Sequence, residues 1–252
     1  DLSGANLSFV DLSEHDLTET NLSGVNLSHA KLSKVTLKGK DLSGANLSFV
    51  DLSEHDLTET NLSGVNLSHA KLSKVTLKGK DLSGANLSFV DLSEHDLTTT
   101  NLSDSILFRT NLSGMDLRPI TLTNADFRYA ILSESKLPDS LLANNNFDHA
   151  TLKNINFAGK DLSGSSFQQV ELEGSDMQNT NLSHTKFIQV DFTKIKNKSI
   201  AWTDLSEASL AHSDLSDINL AGVILHTTNF WNADLSGVDF TVTDVITDGL
   251  TF

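Results

Sequence analysis

The stretch that decides the fold is residues 1–40, which reads in fives as DLSGA NLSFV DLSEH DLTET NLSGV NLSHA KLSKV TLKGK. Leucine returns at every fifth residue from Leu2 to Leu37. A strict period of five fits neither the period of an α-helix, about 3.6 residues, nor the two-residue period of a flat strand. The repeat therefore predicts a geometry of its own, in which stacked neighbours bury a core that one repeat cannot bury alone.

The repeat runs through most of the 252-residue chain. Residues 41–80 copy 1–40 without a change, and residues 81–98 copy 1–18. Because natural repeats drift, identity over this length indicates a very recent duplication or deliberate lengthening, and we favour lengthening. The chain opens in mid-pattern at Asp1, so we also expect its natural start to be missing.

The letters around the repeated position are also restricted. From Leu2 to Phe192 the fifth position is always Leu, Phe or Met, usually after Asp or Asn and often before Ser. The residue two places earlier is often small, as at Ala5 and Ser165. This motif resembles the pentapeptide-repeat family over nearly the whole chain. The resemblance implies an all-β fold, a right-handed quadrilateral parallel β-helix of about 12 coils with four pentapeptides each, in which the Leu or Phe and the small residue point inward.

The repeat changes phase once. After Phe192 the count of five fails, and it resumes at Leu205 with a displacement of three residues. A tolerated surface insertion and a functional bulge both remain open for this site. We expect Trp202 to fill the gap that the bulge makes. We also expect the final residues, VTDVITDGLTF, to form a C-terminal cap in which Phe252 covers the last core layer. The predicted segments are a regular β-helix over 1–192, a register-shifting loop or bulge over 193–203, and continued β-helix with its cap over 204–252.

Composition excludes several kinds of site. The chain has no cysteine, so it has no disulfide framework, thiolate metal site or thiol nucleophile. No stretch approaches the roughly 20 apolar residues that span a bilayer. The formal net charge of −15 argues against direct binding of nucleic acid or anionic membranes.

Positions 20 apart should lie above one another, which predicts columns of side chains on the outer surface. Opposite charges alternate in two columns, and such pairs would fix the register of the coils. These columns are Asp11, Lys31, Asp51, Lys71 and Asp91, and Glu14, Lys34, Glu54, Lys74 and Glu94. A ligand-binding charge stripe is the alternative.

A third column is aromatic: Phe9, His29, Phe49, His69, Phe89, Arg109, Tyr129 and His149. Its rings could serve only to stack on one another. The alternative is an apolar docking strip for a protein partner, which the histidines would make sensitive to pH near their ordinary pKa of about 6.5.

Two sets of polar residues occupy the small inward position. His15, His55 and His95 recur two coils apart, about 10 Å, which is too far for one shared metal ion. We therefore expect structural histidines with satisfied hydrogen bonds. Lys40 and Lys80 would be costly inside, so their ammonium groups should escape at a corner, or the local wall should deform.

Acidic residues dominate the end of the chain. After Lys198 there is no Lys or Arg, whereas carboxylates recur at Asp204, Glu207, Asp214, Asp217, Asp234, Asp239, Asp244 and Asp248. Some pentapeptide-repeat proteins are mimics of duplex DNA that bind type II topoisomerases, and the first six of these residues could form such a surface. The alternative interpretation is that Asp stands at its usual position in the motif and that these charges serve only solubility.

Catalysis finds no support in the sequence. Asp and Ser recur as letters of the repeat, so their proximity to His carries no information about a triad. We predict no catalytic residue, no cofactor and no metal. The preferred function is a non-enzymatic β-solenoid scaffold or protein-interaction module, of a kind found in secreted bacterial effectors. A DNA-mimicking topoisomerase inhibitor is the alternative. The expected location is the bacterial cytoplasm, or a host cell if the chain derives from an effector.

The expected partners are another protein or a second copy of this chain. We expect the open first coil to expose Leu2, Leu7, Leu12 and Leu17 together with unpaired backbone, which predicts end-to-end association.

Overall fold

The computed structural model describes residues 1–138, 142–241 and 249–252. Two compact units make up the chain, Asp1–Asn111 with Pro119–Ala125, and Leu112–Arg118 with Asp126–Phe252. Over the described ranges the β structure consists of isolated parallel bridges, and the only helix is a three-residue 3₁₀ helix at Lys196–Lys198. The prediction of an all-β fold is therefore confirmed. In this part of the chain, no helix is long and apolar enough to cross a membrane.

Tight turns separate successive pentapeptides along the described part of the chain. The carbonyl of Leu2 accepts a hydrogen bond from the amide of Ala5 at 2.9 Å, and the third residue of that turn, Gly4, has a φ of 66°. The next pentapeptide places Phe9 at the same position with a φ of 62°. A positive φ at the third residue is the signature of a type II turn. The wall of the solenoid therefore changes direction once in every five residues.

Parallel bridges set the stacking register. Asn26 bridges Asn6 in the coil before it and Asn46 in the coil after it, so positions 20 apart lie above one another. The amide of Asn26 donates to the carbonyl of Ala5 at 2.8 Å, and the amide of Leu7 donates to the carbonyl of Asn26 at 2.7 Å. These bonds give the wall the ladder of a parallel sheet, one residue wide on each face.

The interior is filled by the repeated large residues. Leu22, Leu27 and Leu42 are fully buried, and so is the small residue Ala45. Each large side chain contributes roughly 1.5–3 kcal/mol through burial. In the second unit one core column consists of stacked phenylalanines with ring centroids 4.7–5.1 Å apart, namely Phe127, Phe147, Phe167 and Phe187.

The phase change has a local structural cause. Asn181 bridges Asp204, which is 23 residues away, whereas Asp204 bridges Ile224 at the usual spacing of 20. The extra residues are accommodated around the 3₁₀ helix Lys196–Lys198, which contains a residue with left-handed backbone. Lys196 Nζ lies 2.9 Å from Asp176 Oδ2 in the preceding coil. The insertion is thereby tied to the wall below it.

Two expectations for aromatic residues meet different outcomes. Trp202 does not plug a gap: its side chain is 61% exposed and lies over Gly222, so that prediction is wrong. The side chain that is buried at this point is that of Ile200. Phe252 stacks on Phe230 with centroids 6.0 Å apart, although it remains 67% exposed. Residues 242–248, which include most of the predicted cap as well as Asp244 and Asp248, lie outside the described residues.

Candidate functional site

Five aromatic side chains form a continuous stack on the surface of the first unit. Adjacent rings are 4.2–4.5 Å apart between centroids and within 15° of parallel. We call this stack the aromatic ladder, and it consists of Phe9, His29, Phe49, His69 and Phe89. The three phenylalanines are 74%, 50% and 43% exposed in chain order. Because neighbouring rings cover each other's faces, the ladder presents mainly ring edges to solvent.

The aromatic ladder ends in the first unit at a cation. The Arg109 guanidinium carbon lies 5.6 Å from the ring centroid of Phe89 and equally far from that of Phe108. A cation over an aromatic face is attracted by the ring quadrupole. In the second unit, Tyr129 and His149 stack at 4.4 Å, so the predicted column is aromatic there as well.

The wall that carries the aromatic ladder is uncharged. It holds no Asp, Glu, Lys or Arg across residues 6–10, 26–30, 46–50, 66–70 and 86–90. Its polar groups are amides and hydroxyls that bond one another: Asn26 Nδ2 donates to Asn6 Oδ1 at 3.1 Å. A partner that covers this wall would not have to neutralise a buried charge, which is the costly part of desolvation.

Charged side chains occupy the next face of the same unit as predicted pairs. Lys34 Nζ lies 2.7 Å from Glu14 Oε1, and Lys31 Nζ lies 3.5 Å from Asp11 Oδ2. The duplicated coils repeat both distances, for example between Lys74 and Glu54. More than half of each of these side chains is exposed, so every pair stabilises the fold only weakly. The alternation of charge along each column therefore matters more for the register of the coils than for the stability of the fold.

The inward histidines are only partly satisfied. His15 is exposed, whereas His55 is partly buried and its Nε2 lies 2.9 Å from the carbonyl oxygen of Leu32. Because a carbonyl only accepts, Nε2 must carry the proton. The buried Nδ1 atoms of His55 and His95 have no hydrogen-bond partner, so the expectation of fully satisfied histidines is wrong. Over the described residues, no group of three or more His, Asp or Glu residues could hold a metal ion.

An open groove of about 610 Å³ lies beside His55. Its lining includes Lys34 and Lys38 from one coil and Glu54 and Asp56 from the next. The duplicated coils form a second groove of about 680 Å³ beside His95. These charges face solvent and one another, as the 3.9 Å distance between Lys38 Nζ and Asp56 Oδ2 shows. The grooves therefore resemble a solvated polar surface more than an apolar ligand pocket.

The inward lysines bond to main-chain oxygens. Lys80 Nζ donates to the carbonyl of Leu57, and burial lowers the pKa of its ammonium group. Lys40 Nζ donates to the carbonyls of Thr18 and Thr20, the latter at 3.3 Å. Each ammonium group thus stays at the corner of the wall and replaces lost water with carbonyl oxygens.

The six predicted acidic residues are not gathered into one patch. Asp214 and Asp234 bridge each other and share a wall with Asp217, whereas Asp204 and Glu207 occupy another wall. Hydrogen bonds from the Ser236 side chain and backbone lower the pKa of Asp234, and those from Thr241 lower the pKa of Asp239. Two of the six contact basic side chains: Asp217 lies 3.5 Å from Lys198 Nζ, and Glu207 lies 3.2 Å from His184 Nδ1.

Comparison with known proteins identifies the repeat. The family model described as pentapeptide repeats matches eight copies, at residues 1–39, 41–79, 71–104, 81–118, 105–144, 121–159, 156–193 and 203–241. The chain belongs to the pentapeptide-repeat family. Its fold is accordingly the right-handed quadrilateral β-helix that the motif predicted.

Solved structures of other pentapeptide-repeat proteins resemble this chain. HetL from Nostoc sp. strain PCC 7120, a protein involved in regulating heterocyst differentiation, is 26% identical, with 98% of this chain and 87% of HetL covered and a TM-score of 0.31. A trypsin-treated variant of QnrB1, a plasmid-mediated fluoroquinolone resistance protein, is 13% identical, with 85% and 87% covered and a TM-score of 0.43. The comparison with curated protein sequences found no match.

One recurring contact of this pentapeptide-repeat protein was not predicted. Several hydroxyl residues at the small inward position donate to a core carbonyl in the preceding coil, as Thr60 Oγ1 does to Leu37 and Thr100 Oγ1 to Leu77, both at 2.9 Å. The spacing of 23 residues between donor and acceptor recurs in the second unit, where Thr180 donates to Phe157 at 3.0 Å. Threonine or serine at the small position is the sequence signal that could have revealed it.

Proposed function

We propose that this pentapeptide-repeat protein is a non-enzymatic scaffold that binds another protein through the aromatic ladder. The observation that carries the proposal is the contiguous exposure of five stacked rings on a wall without charged residues. Exposed apolar strips of this kind mark interaction sites more often than isolated apolar residues do. Aromatic residues are also enriched, and charged residues depleted, at the centres of protein interfaces.

The ladder is suited to binding because it is ordered before a partner arrives. Phe49 is held between His29 and His69, and its amide donates to the carbonyl of Ser68 at 3.0 Å. Side chains fixed in this way lose little conformational freedom on binding, so less of the interaction energy is spent on ordering. The ring edges would meet a flat apolar surface of the partner. The pH sensitivity expected from the two histidines stays a prediction.

The test uses a variant that removes rings of the aromatic ladder and leaves the core residues unchanged. The triple variant F9S/F49S/F89S removes three exposed rings. These rings lie at corners where backbone hydrogen bonds, and not the rings, form the turn. The control variant E14Q/E54Q/E94Q changes the same number of corner residues on the next face. Quantitative mass spectrometry would measure which proteins each immobilised variant retains. The expected partners are retained by the wild type and by the control but lost from the ladder variant. Identical retention by all three proteins would refute the ladder as the binding surface.

A second candidate function is inhibition of a type II topoisomerase by DNA mimicry. It is favoured by the six carboxylates between residues 199 and 241, a range that has no Lys or Arg. The measurement is DNA supercoiling by a purified gyrase at increasing protein concentration. Unchanged supercoiling at micromolar protein would remove this candidate and would leave the scaffold proposal standing.

End-to-end association is a further form that binding could take. Leu2 and Leu7 in the first coil are partly exposed, whereas Leu22 and Leu27 in the next coil are fully buried. The expectation of exposure is wrong for Leu12 and Leu17, which are buried with only 8% of their surface exposed. A second copy seated on the first coil would cover this apolar surface and its unpaired backbone. Light scattering that shows only monomers at high concentration would exclude it. A location in the bacterial cytoplasm or in a host cell remains a prediction.

A further inference from the structure

Trp202 lies on the surface of the protein, and its indole packs over a glycine. Its amide donates to the carbonyl of Ala221 at 2.9 Å, and its side chain lies over Gly222. A Cβ on Gly222 would lie 2.3 Å from Cε3 and 2.5 Å from Cζ3 of the indole. The ring therefore occupies the space that a side chain at position 222 would need. Trp202 as a whole residue remains 61% exposed.

The indole of Trp202 differs from the other surface aromatics in having no ring partner among the described residues. Its neighbours in the same column are Asn179 and Gly222, so neither can stack on it. Trp231 offers a contrast within the same unit, because it packs edge-on against His212 at 4.7 Å while remaining 57% exposed. Trp202 thus provides an uncovered aromatic face, and Trp231 provides a matched control.

Charge indicates which ligand that face would select. Asp204 follows two residues after Trp202, which limits their separation along the chain to about 7 Å. Its Oδ1 accepts from the amide of Ser206 at 2.8 Å, and within the described ranges it pairs with no cation. The lysines nearest in sequence, Lys196 and Lys198, are already paired with carboxylates. The charge that remains beside the indole is negative, so the site complements a cation.

We propose that Trp202 anchors a docking site for a basic polypeptide segment, whose arginine side chain stacks on the open indole face and pairs with Asp204. The negative face of an indole attracts a cation, and the planar guanidinium can stack and bond a carboxylate at once. This inference rests on the proposed protein-binding function and names the partner's chemistry at a second surface. Trp202 lies in the second unit, whereas the aromatic ladder lies in the first.

The first experiment measures binding of a fluorescein-labelled hexa-arginine peptide by anisotropy. Trp202→Ala is expected to raise the dissociation constant at least about tenfold, the size of effect typical of an aromatic anchor. Trp231→Ala, which removes an equally exposed indole, should leave it within about twofold. Equal affinity of the wild type and Trp202→Ala, or equal losses in the two tryptophan variants, would overturn the proposal.

A second experiment uses the indole itself as the reporter. The chain has two tryptophans, so Trp231→Phe leaves the emission of Trp202 alone. We expect a saturable emission change with hexa-arginine and none with the uncharged hexa-citrulline or with maltohexaose. Gly222→Ala, whose methyl group would displace the ring, should abolish the change. A response to maltohexaose without one to hexa-arginine would overturn the proposal and would indicate that the indole of Trp202 binds a saccharide.

The two surfaces can fail independently. The ladder variant F9S/F49S/F89S should bind hexa-arginine like the wild type, because its substitutions lie outside the unit that contains Trp202. Loss of peptide binding in that variant would contradict a separate site at Trp202. Retained partner capture by Trp202→Ala, together with lost capture by the ladder variant, would support the proposed function whatever the peptide result.

Discussion

Replacement of Phe147 by leucine tests whether the stacked core rings contribute more than buried area. Phe147 is fully buried between Phe127 and Phe167, with centroids 5.0 and 5.1 Å away and ring planes within 9°. An aromatic pair is worth about 0.5–1.5 kcal/mol beyond the burial of its surface. Because leucine breaks two such pairs, stacking alone should cost about 1–3 kcal/mol of unfolding free energy.

Phe157 provides the matched control for this substitution. It is also fully buried, yet it stacks on no other ring in the described part of the chain. Phe157→Leu therefore loses the burial and packing terms but not the stacking term. The expected result is that Phe147→Leu is more destabilising than Phe157→Leu by about 1–3 kcal/mol.

The assay must respect the way in which repeat proteins unfold. Solenoids can unfold in segments, so a single global transition is not assured. Urea titrations followed by far-ultraviolet dichroism would be combined with native-state exchange of the Phe147 amide, which donates to the carbonyl of Ser166 at 2.8 Å. Equal destabilisation by the two substitutions in both measurements would refute an added contribution from stacking.

Three other predictions concern the first unit. Hydrogen bonds from Thr98, followed by Lys78, lower the pKa of Asp96 to about 2, so its contribution to stability should be complete above about pH 3.8 and be lost toward pH 2. Asp96→Asn should therefore flatten the fall in melting temperature over that range. Thr100→Val, which removes the hydroxyl bond to Leu77, should cost about 0.5–1.5 kcal/mol in a urea titration. Deletion of residues 41–80 should leave a folded protein with an unchanged dichroism spectrum per residue, because residues 81–98 repeat the sequence that is removed.

Each of these predictions has an internal control. Glu19→Gln removes an exposed carboxylate without these contacts, and an equal flattening would contradict the role of Asp96. Thr76→Val changes an exposed threonine and spares the core bond, so an equal or larger loss there than in Thr100→Val would count against the hydroxyl contact. Deletion of 61–80 alone would place Asp51 against Asp91, so it should lower the melting temperature more than the longer deletion does. Higher salt should narrow that difference, because it screens exposed charges.

Much of the architecture could be predicted from the repeat motif and from the family that it resembles. A large apolar residue at every fifth position, with Leu22 and Leu27 as examples, identified the motif, and the resemblance to the pentapeptide-repeat family implied inward side chains and a vertical repeat of 20 residues, both of which are observed. The charge pairs and the aromatic ladder followed from the same register, since residues such as Glu14 and Lys34 must then be neighbours. These features depend on one periodic constraint, and periodic constraints are written directly in the sequence.

Features that break the period were harder to predict. Trp202 was expected inside because a bulky residue follows an insertion, whereas the structure places it outside, over Gly222. His55 and Lys80 occupy the inward position, yet the partners of their nitrogens, the carbonyls of Leu32 and Leu57, depend on how far each side chain reaches across the coil spacing.

By itself, the sequence determined the pentapeptide period, the pairing of opposite charges and the aromatic column, because each follows from which residues recur at fixed intervals. Only the tertiary structure decided where irregular side chains point. It showed that the ladder rings cover one another's faces and that the indole of Trp202 is left open. Both outcomes are set by the side-chain directions and the space left in the adjacent coil, and a one-dimensional pattern specifies neither.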